Sequence, residues 1–149
     1  MSSPRIVVRC AVTEDAASVA ALLTELGHPT EPEFVPERLD RLREEGGAAL
    51  LAVEAAGTPL GFVSLAVHAV VHAPGPVALI TALVVKKAAR GHGVGRSLVA
   101  SATSWAMERG CVRLLVTSGE ARADAHAFYA ACGLTYTGRR YTLSLQDAR

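Results

Sequence analysis

Arg90-Gly91-His92-Gly93-Val94-Gly95-Arg96-Ser97 follows an apolar run, Val77–Val85, and opens a stretch of helical periodicity, Val94–Arg109. A strand that turns through glycines into a helix is suited to an anion. Residues without Cβ let a phosphate approach the main chain, and a helix N-terminus adds unpaired N–H donors at the positive end of its dipole. Lys86, Lys87, Arg90 and Arg96 surround the loop with positive charge, and the two lysines are the only ones in the chain. The plainer alternative is a tight turn carrying solvated charges. Two common phosphate loops do not match. A Walker loop needs GxxxxGK[ST], which the chain lacks, and a dinucleotide fingerprint needs GxGxxG, whose third glycine is replaced by Arg96.

Upstream, Arg5–Val12 is rich in β-branched residues and predicts a strand; Thr13 is placed to cap a helix whose apolar positions are Ala16, Val19, Ala20, Leu23 and Leu26. Gly27 supplies its stop, Pro29, Pro32 and Pro36 restrict the loop that follows, and a charged helix is expected over about residues 35–45. Ala48–Ala55 and Leu60–Val71 flank Gly57-Thr58-Pro59 as a hairpin, and Pro74-Gly75-Pro76 turns the chain into Val77–Val85. Downstream, Val94, Leu98, Ala102 and Trp105 share one helix face, Gly110 closes that helix, and Val112–Thr117 reads as a strand, so this strand and the one before the loop form a parallel pair. Arg122–Cys132 is a short helix ended by Gly133, and Leu134–Thr137 and Tyr141–Leu145 are expected as two final strands. The expected fold class is α+β: a mixed, mostly antiparallel sheet of six to seven strands flanked by about four helices in a single domain, 1–149.

The length, 149 residues, suffices for one core, and with half of the residues hydrophobic and 19% charged the chain is expected to be a folded globular protein. A net charge of +1 gives no global pull toward nucleic acid or an anionic membrane, so neither is expected as a partner. Charge is nevertheless unevenly spread. Residues 1–85 hold five Arg against ten acidic residues, and residues 86–149 hold ten Lys or Arg against four acidic ones. Cys10, Cys111 and Cys132 are odd in number, widely spaced and without a CxxC, which argues against a disulfide framework or a zinc knuckle and for a reducing cytoplasm. No signal-peptide pattern opens the sequence, and the longest apolar region, 62–85, is broken by His68, His72 and Pro74-Gly75-Pro76.

Arg90-Gly91-His92-Gly93-Val94-Gly95 matches the Q/R-x-x-G-x-G/A loop of the GCN5-related N-acetyltransferases (GNAT) in full, and Phe128-Tyr129-Ala130-Ala131-Cys132-Gly133-Leu134 matches that family's Phe/Leu-Tyr-x-x-x-Gly-Leu/Phe pattern. Order and spacing resemble the family from about Val77 to the C-terminus. The resemblance implies a GNAT-like fold, acetyl-CoA as co-substrate, and transfer of its acetyl group to a primary amine of a small molecule or peptide, without a metal. It implies that the backbone of Leu83, Val84 and Val85 holds the pantetheine arm like an added strand. Amides from Gly91 through His92, Gly93, Val94 and Gly95 to Arg96, at the helix start with Ser97, would hold the pyrophosphate. A homodimer is the assembly the family often forms.

Tyr129 is implied as the proton donor to the leaving thiolate; alternatively it is an amphipathic residue at the edge of the core. Arg122, His126 and Tyr129 share one helix face by their i, i+4, i+7 spacing, although Arg122 stands where many relatives carry Asn. The base is open. Thr81 and Ala82 occupy the stretch where many relatives place a Glu, so the candidates are His68 and His72, expected on one face of a strand, or a chain of waters. Their separation, about 13 Å along a strand, is too long for one metal. Glu25, Glu31, Glu33, Glu37, Asp40, Glu44 and Glu45 suit a cationic acceptor, or are a solvated face paired with Arg38, Arg41 and Arg43. Two other function classes compete: a non-catalytic acyl-CoA-binding module of the same fold, and a nucleotide-binding protein using the same glycines.

Overall fold

Apolar residues at alternate positions sort onto opposite faces of a sheet, and the strands β1 (Ile6–Cys10), β2 (Ala48–Glu54), β3 (Pro59–His68), β4 (Val77–Val85) and β5 (Arg113–Val116) do so here. The computed structural model describes residues 5–117, 123–138 and 141–146. It divides into two units, Met1–Val116 and Thr117–Arg149. The first contains the sheet, in the order β1-β2-β3-β4-β5, antiparallel except for the β4–β5 pair. Helices α1 (Ala16–Leu26), α2 (Val35–Glu44) and α3 (Val94–Glu108) belong to this unit, and α4 (Ala123–Ala131) belongs to the second.

On one face of the sheet, Val19, Ala20 and Leu22 of α1 and Val35 and Leu39 of α2 bury Ala49, Leu51, Val53, Phe62 and Val84. On the other, Val94, Leu98 and Ala102 of α3 cover Leu50, Ala52, Leu60, Val63, Leu65 and Ile80. Both faces of β2 are therefore buried, which explains its apolar run from Ala48 to Val53. Leu51, Leu65 and Leu98 are fully buried, and truncating any one to Ala costs about 2–5 kcal/mol.

Four helices match the sequence reading, whereas the described residues contain five strands rather than six to seven. Leu134–Thr137 and Tyr141–Leu145 carry no strand. Their alternating apolar side chains gain no burial from pairing: Tyr136, Tyr141, Leu143 and Leu145 are all exposed. The strand expected over Leu60–Val71 stops at His68, because its partner β4 begins opposite that residue, at Val77. Thr13 does not cap α1. A short 3-10 turn, Thr13–Asp15, precedes the helix, and it is the Asp15 carboxylate that accepts the Val12 N–H at 2.8 Å. Gly27 ends α1 in the left-handed conformation.

Candidate active site

The centre of the site is a fault in β4. Ser64 of β3 pairs with Ala82, but Leu65 pairs with Ile80, so Thr81 is an extra residue, a β-bulge. Side-chain phase changes there: Ile80, Leu83 and Val85 all face α3, with two residues instead of one between the first and second. The β4–β5 ladder also ends at this point, its last pair being Ile80 with Val116. Beyond the bulge no strand among the described residues pairs with β4 on that side. Lys86 N–H donates to the Leu60 carbonyl at 2.8 Å. Alternation along an antiparallel ladder then turns the backbone groups of Val84 toward β3 and those of Leu83 and Val85 toward the open edge. Of the three residues expected to hold an extended ligand by their main chain, Leu83 turns its N–H and carbonyl and Val85 its N–H to the open edge, the Val85 carbonyl is taken by Arg90, and Val84 is committed to the sheet.

The open edge leads straight into the glycine loop. Gly91 and Gly93 both take φ of +84°, and nothing lies within 4 Å of where a Cβ would stand on either. Their role is to curl the chain and leave space above it. Gly95 differs, being buried in the first turn of α3 beside Val94. The helical bonding begins with Ser97 N–H to Gly93 C=O at 3.0 Å, so the N–H groups of Val94, Gly95 and Arg96 precede it and lack an intrahelical acceptor. This cradle of space, amides and helix terminus fits a pyrophosphate, and the open edge above it fits an extended arm.

The surrounding cations are not equivalent. Arg90 donates Nε–H to the Val85 carbonyl at 3.2 Å, bracing the strand that precedes the loop. Lys86, Lys87, Arg96 and His92 are exposed, and no salt bridge among the described residues involves them. The backbone N–H of Lys87 donates to Glu25 Oε1 of α1 at 2.8 Å, so Glu25 supports the loop entrance instead of standing free for an acceptor. Elsewhere in the acidic run, Glu37 pairs with Arg41 at 2.8 Å and Asp40 with Arg43 at 3.8 Å, while Glu31, Glu33, Glu44 and Glu45 remain exposed.

The two histidines separate. His68 ends β3 opposite Val77, exposed, and shares a face with Ser64, about 13 Å away along the strand. His72 lies in an irregular bend beyond the strand, so the alternation expected to align it with His68 does not exist. Sequence reasoning passed over the hydroxyl pair at the bulge: Ser64 Oγ and Thr81 Oγ1 are 2.6 Å apart. Its signal was present, because Ser64, Thr81 and His68 are the only polar side chains in β3 and β4.

In the second unit, α4 carries His126, exposed, and Tyr129, half-buried. The Tyr129 ring packs edge-on against Phe128 at 5.6 Å between centroids, and its carbonyl accepts the Leu134 N–H at 3.0 Å, past Gly133 at φ +92°. Arg122 lies outside the described residues. A groove of about 420 Å³ between β1 and α3, lined by Val8, Arg9, Cys10, Ser101, Ser104 and Trp105 among others, contains none of the residues predicted for the site. No helix among the described residues is long and apolar enough to cross a membrane, and no cluster of His, Cys, Asp and Glu there could hold a metal ion.

Known proteins resemble this chain in sequence and in fold. Residues 17–134 match the model of the acetyltransferase (GNAT) family. An aminoglycoside N(6′)-acetyltransferase type 1 from Stenotrophomonas maltophilia is 33% identical over 135 residues, covering 89% of this chain and 88% of its own. Among solved structures, one titled a transcriptional regulator from Bacillus halodurans superposes with a TM-score of 0.84 at 22% identity, covering 95% of this chain and all of its own. The aminoglycoside antibiotic 6′-N-acetyltransferase from Acinetobacter baumannii superposes with a TM-score of 0.80 at 18% identity, covering 94% of this chain and 97% of its own. The bulged strand with its open edge, the glycine cradle at the head of α3 and these matches have one reading: the chain belongs to the GNAT family of acetyltransferases.

Proposed function

We propose that this acetyltransferase uses acetyl-CoA to acetylate a primary amine of a cationic small molecule, of which the 6′-amine of an aminoglycoside is the first to test, and that residues 1–149 act as one catalytic domain in the cytoplasm, as a homodimer. The observation that carries the reading is the open edge of β4 at Leu83 and Val85, running directly into the glycine cradle. The printed name of the Stenotrophomonas relative supports the choice of acceptor.

Bound acetyl-CoA supplies an acetyl thioester whose carbonyl is open to a neutral amine. The chain's own part is orientation and charge. Leu83 and the Val85 N–H offer main-chain groups to the pantetheine, and the N–H of Leu83 stabilises the developing oxyanion. The amides of Gly91 to Arg96 neutralise the pyrophosphate, and Lys86, Lys87 and Arg96 meet the remaining phosphate. Tyr129 Oη supplies the proton to the departing sulfur, and His126 and Arg122 contribute to holding the cofactor. Removal of the amine proton falls to a chain of waters that His68, about 13 Å along β3 from Ser64, or His72, beyond the strand, would terminate. The exposed carboxylates of the α1–α2 region attract a cationic acceptor.

The test is calorimetric titration with acetyl-CoA, ATP and NAD, followed by release of free CoA in the presence of kanamycin A, spermidine and a lysine-containing peptide. Selective binding of acetyl-CoA and amine-dependent release support the reading. Binding without release from any amine favours a non-catalytic acyl-CoA module, and tighter binding of ATP or NAD favours a nucleotide site.

A further inference from the structure

We infer that Thr81 and Ser64 form the seat of the acceptor amine, an inference that rests on the acetyltransferase reading above. β3 and β4 together present an almost wholly apolar surface, yet two of their three polar side chains meet at the one irregular point of the ladder. Ser64 follows Phe62 by two residues on the face that carries α1 and α2, and Thr81, the unpaired residue of the bulge, turns its hydroxyl to the same side. Both hydroxyls are at the surface. They lie where β5 leaves β4, two residues before Leu83, whose main chain looks onto the open edge.

The hydrogen-bond inventory of this pair suits an amine. Two hydroxyls have two O–H donors and four acceptor lone pairs between them, and their mutual bond uses one of each whichever atom donates. Three lone pairs and one O–H remain. A reacting neutral amine must aim its nitrogen lone pair at a carbonyl carbon while its N–H groups find acceptors, and the spare hydroxyl lone pairs supply them. In the transfer a C–N bond forms, the C–S bond breaks, and one amine proton ends on sulfur; the hydroxyl pair neither gains nor loses a proton. An aliphatic hydroxyl is too weak a base to deprotonate an ammonium, so the pair positions the amine and leaves deprotonation to another group or to water. The competing account is an ordinary cross-strand Thr–Ser bond that only steadies the sheet.

Thr81→Val keeps the shape of the side chain and removes its hydroxyl, Thr81→Ser restores a hydroxyl, and Ser64→Ala is the smaller change should Thr81→Val fold poorly. Each is compared with the unaltered enzyme in steady-state kinetics with kanamycin A, in calorimetric binding of acetyl-CoA, and in binding of kanamycin A to the CoA-loaded protein. The expected result for Thr81→Val is a fall in kcat/KM for kanamycin A of about tenfold or more, weaker binding of kanamycin A to the CoA complex, and an acetyl-CoA Kd within about twofold of the original. Ser64→Ala moves the same quantities less, and Thr81→Ser recovers most of the loss. Unchanged kcat/KM in both Thr81→Val and Ser64→Ala overturns the inference, as does an equal loss of acetyl-CoA binding, the mark of a structural role. If the unaltered protein binds acetyl-CoA yet acetylates no amine, the acetyltransferase reading fails first and this inference with it.

Discussion

Glu25 Oε1 accepts the backbone N–H of Lys87 at 2.8 Å, joining the last turn of α1 to the turn between β4 and the glycine loop. A carboxylate beside a proposed phosphate cradle repels the ligand while its hydrogen bond steadies the loop. The two effects separate by substitution. Glu25→Gln keeps an acceptor oxygen and removes the charge, so acetyl-CoA binds as tightly or more tightly at low ionic strength. Glu25→Ala removes the acceptor and weakens binding by about threefold to tenfold, the worth of about 1 kcal/mol of hydrogen bonding. Calorimetric Kd values at low and high salt check both; weaker binding in Glu25→Gln would count against the repulsion.

Gly93 caps α3 at φ +84° with open space around it, so the cost of a side chain there is conformational and not steric. Asn tolerates the left-handed region better than a β-branched residue does. Gly93→Val is expected to lower the stability of the ligand-free protein by about 1–2 kcal/mol and Gly93→Asn by a fraction of that. Thermal melting without ligand ranks the two. Both also place atoms above the cradle, so acetyl-CoA binding falls in each, and a Gly93→Asn protein that melts normally but binds poorly isolates the loss of backbone access.

How much of this was legible in the sequence depends on how local the cause is. The glycine loop, α3 and the stops at Gly27, Gly110 and Gly133 are written in short-range chemistry, since φ above zero asks for glycine. The parallel β4–β5 pair follows from a helix between two strands. The bulge at Thr81 does not announce itself, because Ile80-Thr81-Ala82-Leu83 is a good strand in either phase and only the register with Ser64 and Leu65 reveals the extra residue. The end of β3 is hidden for the same reason: Ala69, Val70 and Val71 could continue a strand, but no strand among the described residues pairs with them and Val71 is fully exposed. His72 was misplaced as a consequence. Glu25 and Arg90 were read by charge, whereas their contacts are with main-chain atoms brought near by the fold.

Asp15 sits in a clamp that makes stability depend on pH. Its carboxylate takes two hydrogen bonds from Arg9, at 2.7 and 2.9 Å, and one from the Val12 N–H, and together these hold it below the ordinary carboxylate range despite the opposing effect of burial. A carboxyl whose folded value is depressed contributes stability in full above its unfolded value and loses it as pH falls through the folded one. The loss therefore sets in below about pH 4. Asp15→Asn is expected to cost about 1–3 kcal/mol at neutral pH, with the gap from the original protein closing as the pH is lowered. Urea midpoints at pH 7 and pH 3 measure it, and a gap that stays constant would remove Asp15 from the acid response.

Tyr129 provides the sharpest test of the proposed chemistry because a single substitution removes its hydroxyl and keeps its ring. The ring packs on Phe128 and its carbonyl holds the Leu134 N–H, and neither contact needs the phenol oxygen. Thermal melting of Tyr129→Phe without ligand measures separately what the hydroxyl contributes to the fold. If Oη delivers the proton to the departing sulfur, kcat falls by about tenfold or more while the acetyl-CoA Kd holds, and any high-pH decline in kcat set by ionisation of Tyr129 disappears with the group that titrates. A residue serving only as packing at the edge of a core predicts the reverse: unchanged turnover and an unchanged pH profile. Kinetics of the Phe variant across pH 6–10 with kanamycin A decides between them, and a Phe variant as fast as the parent would return the protonation step to solvent.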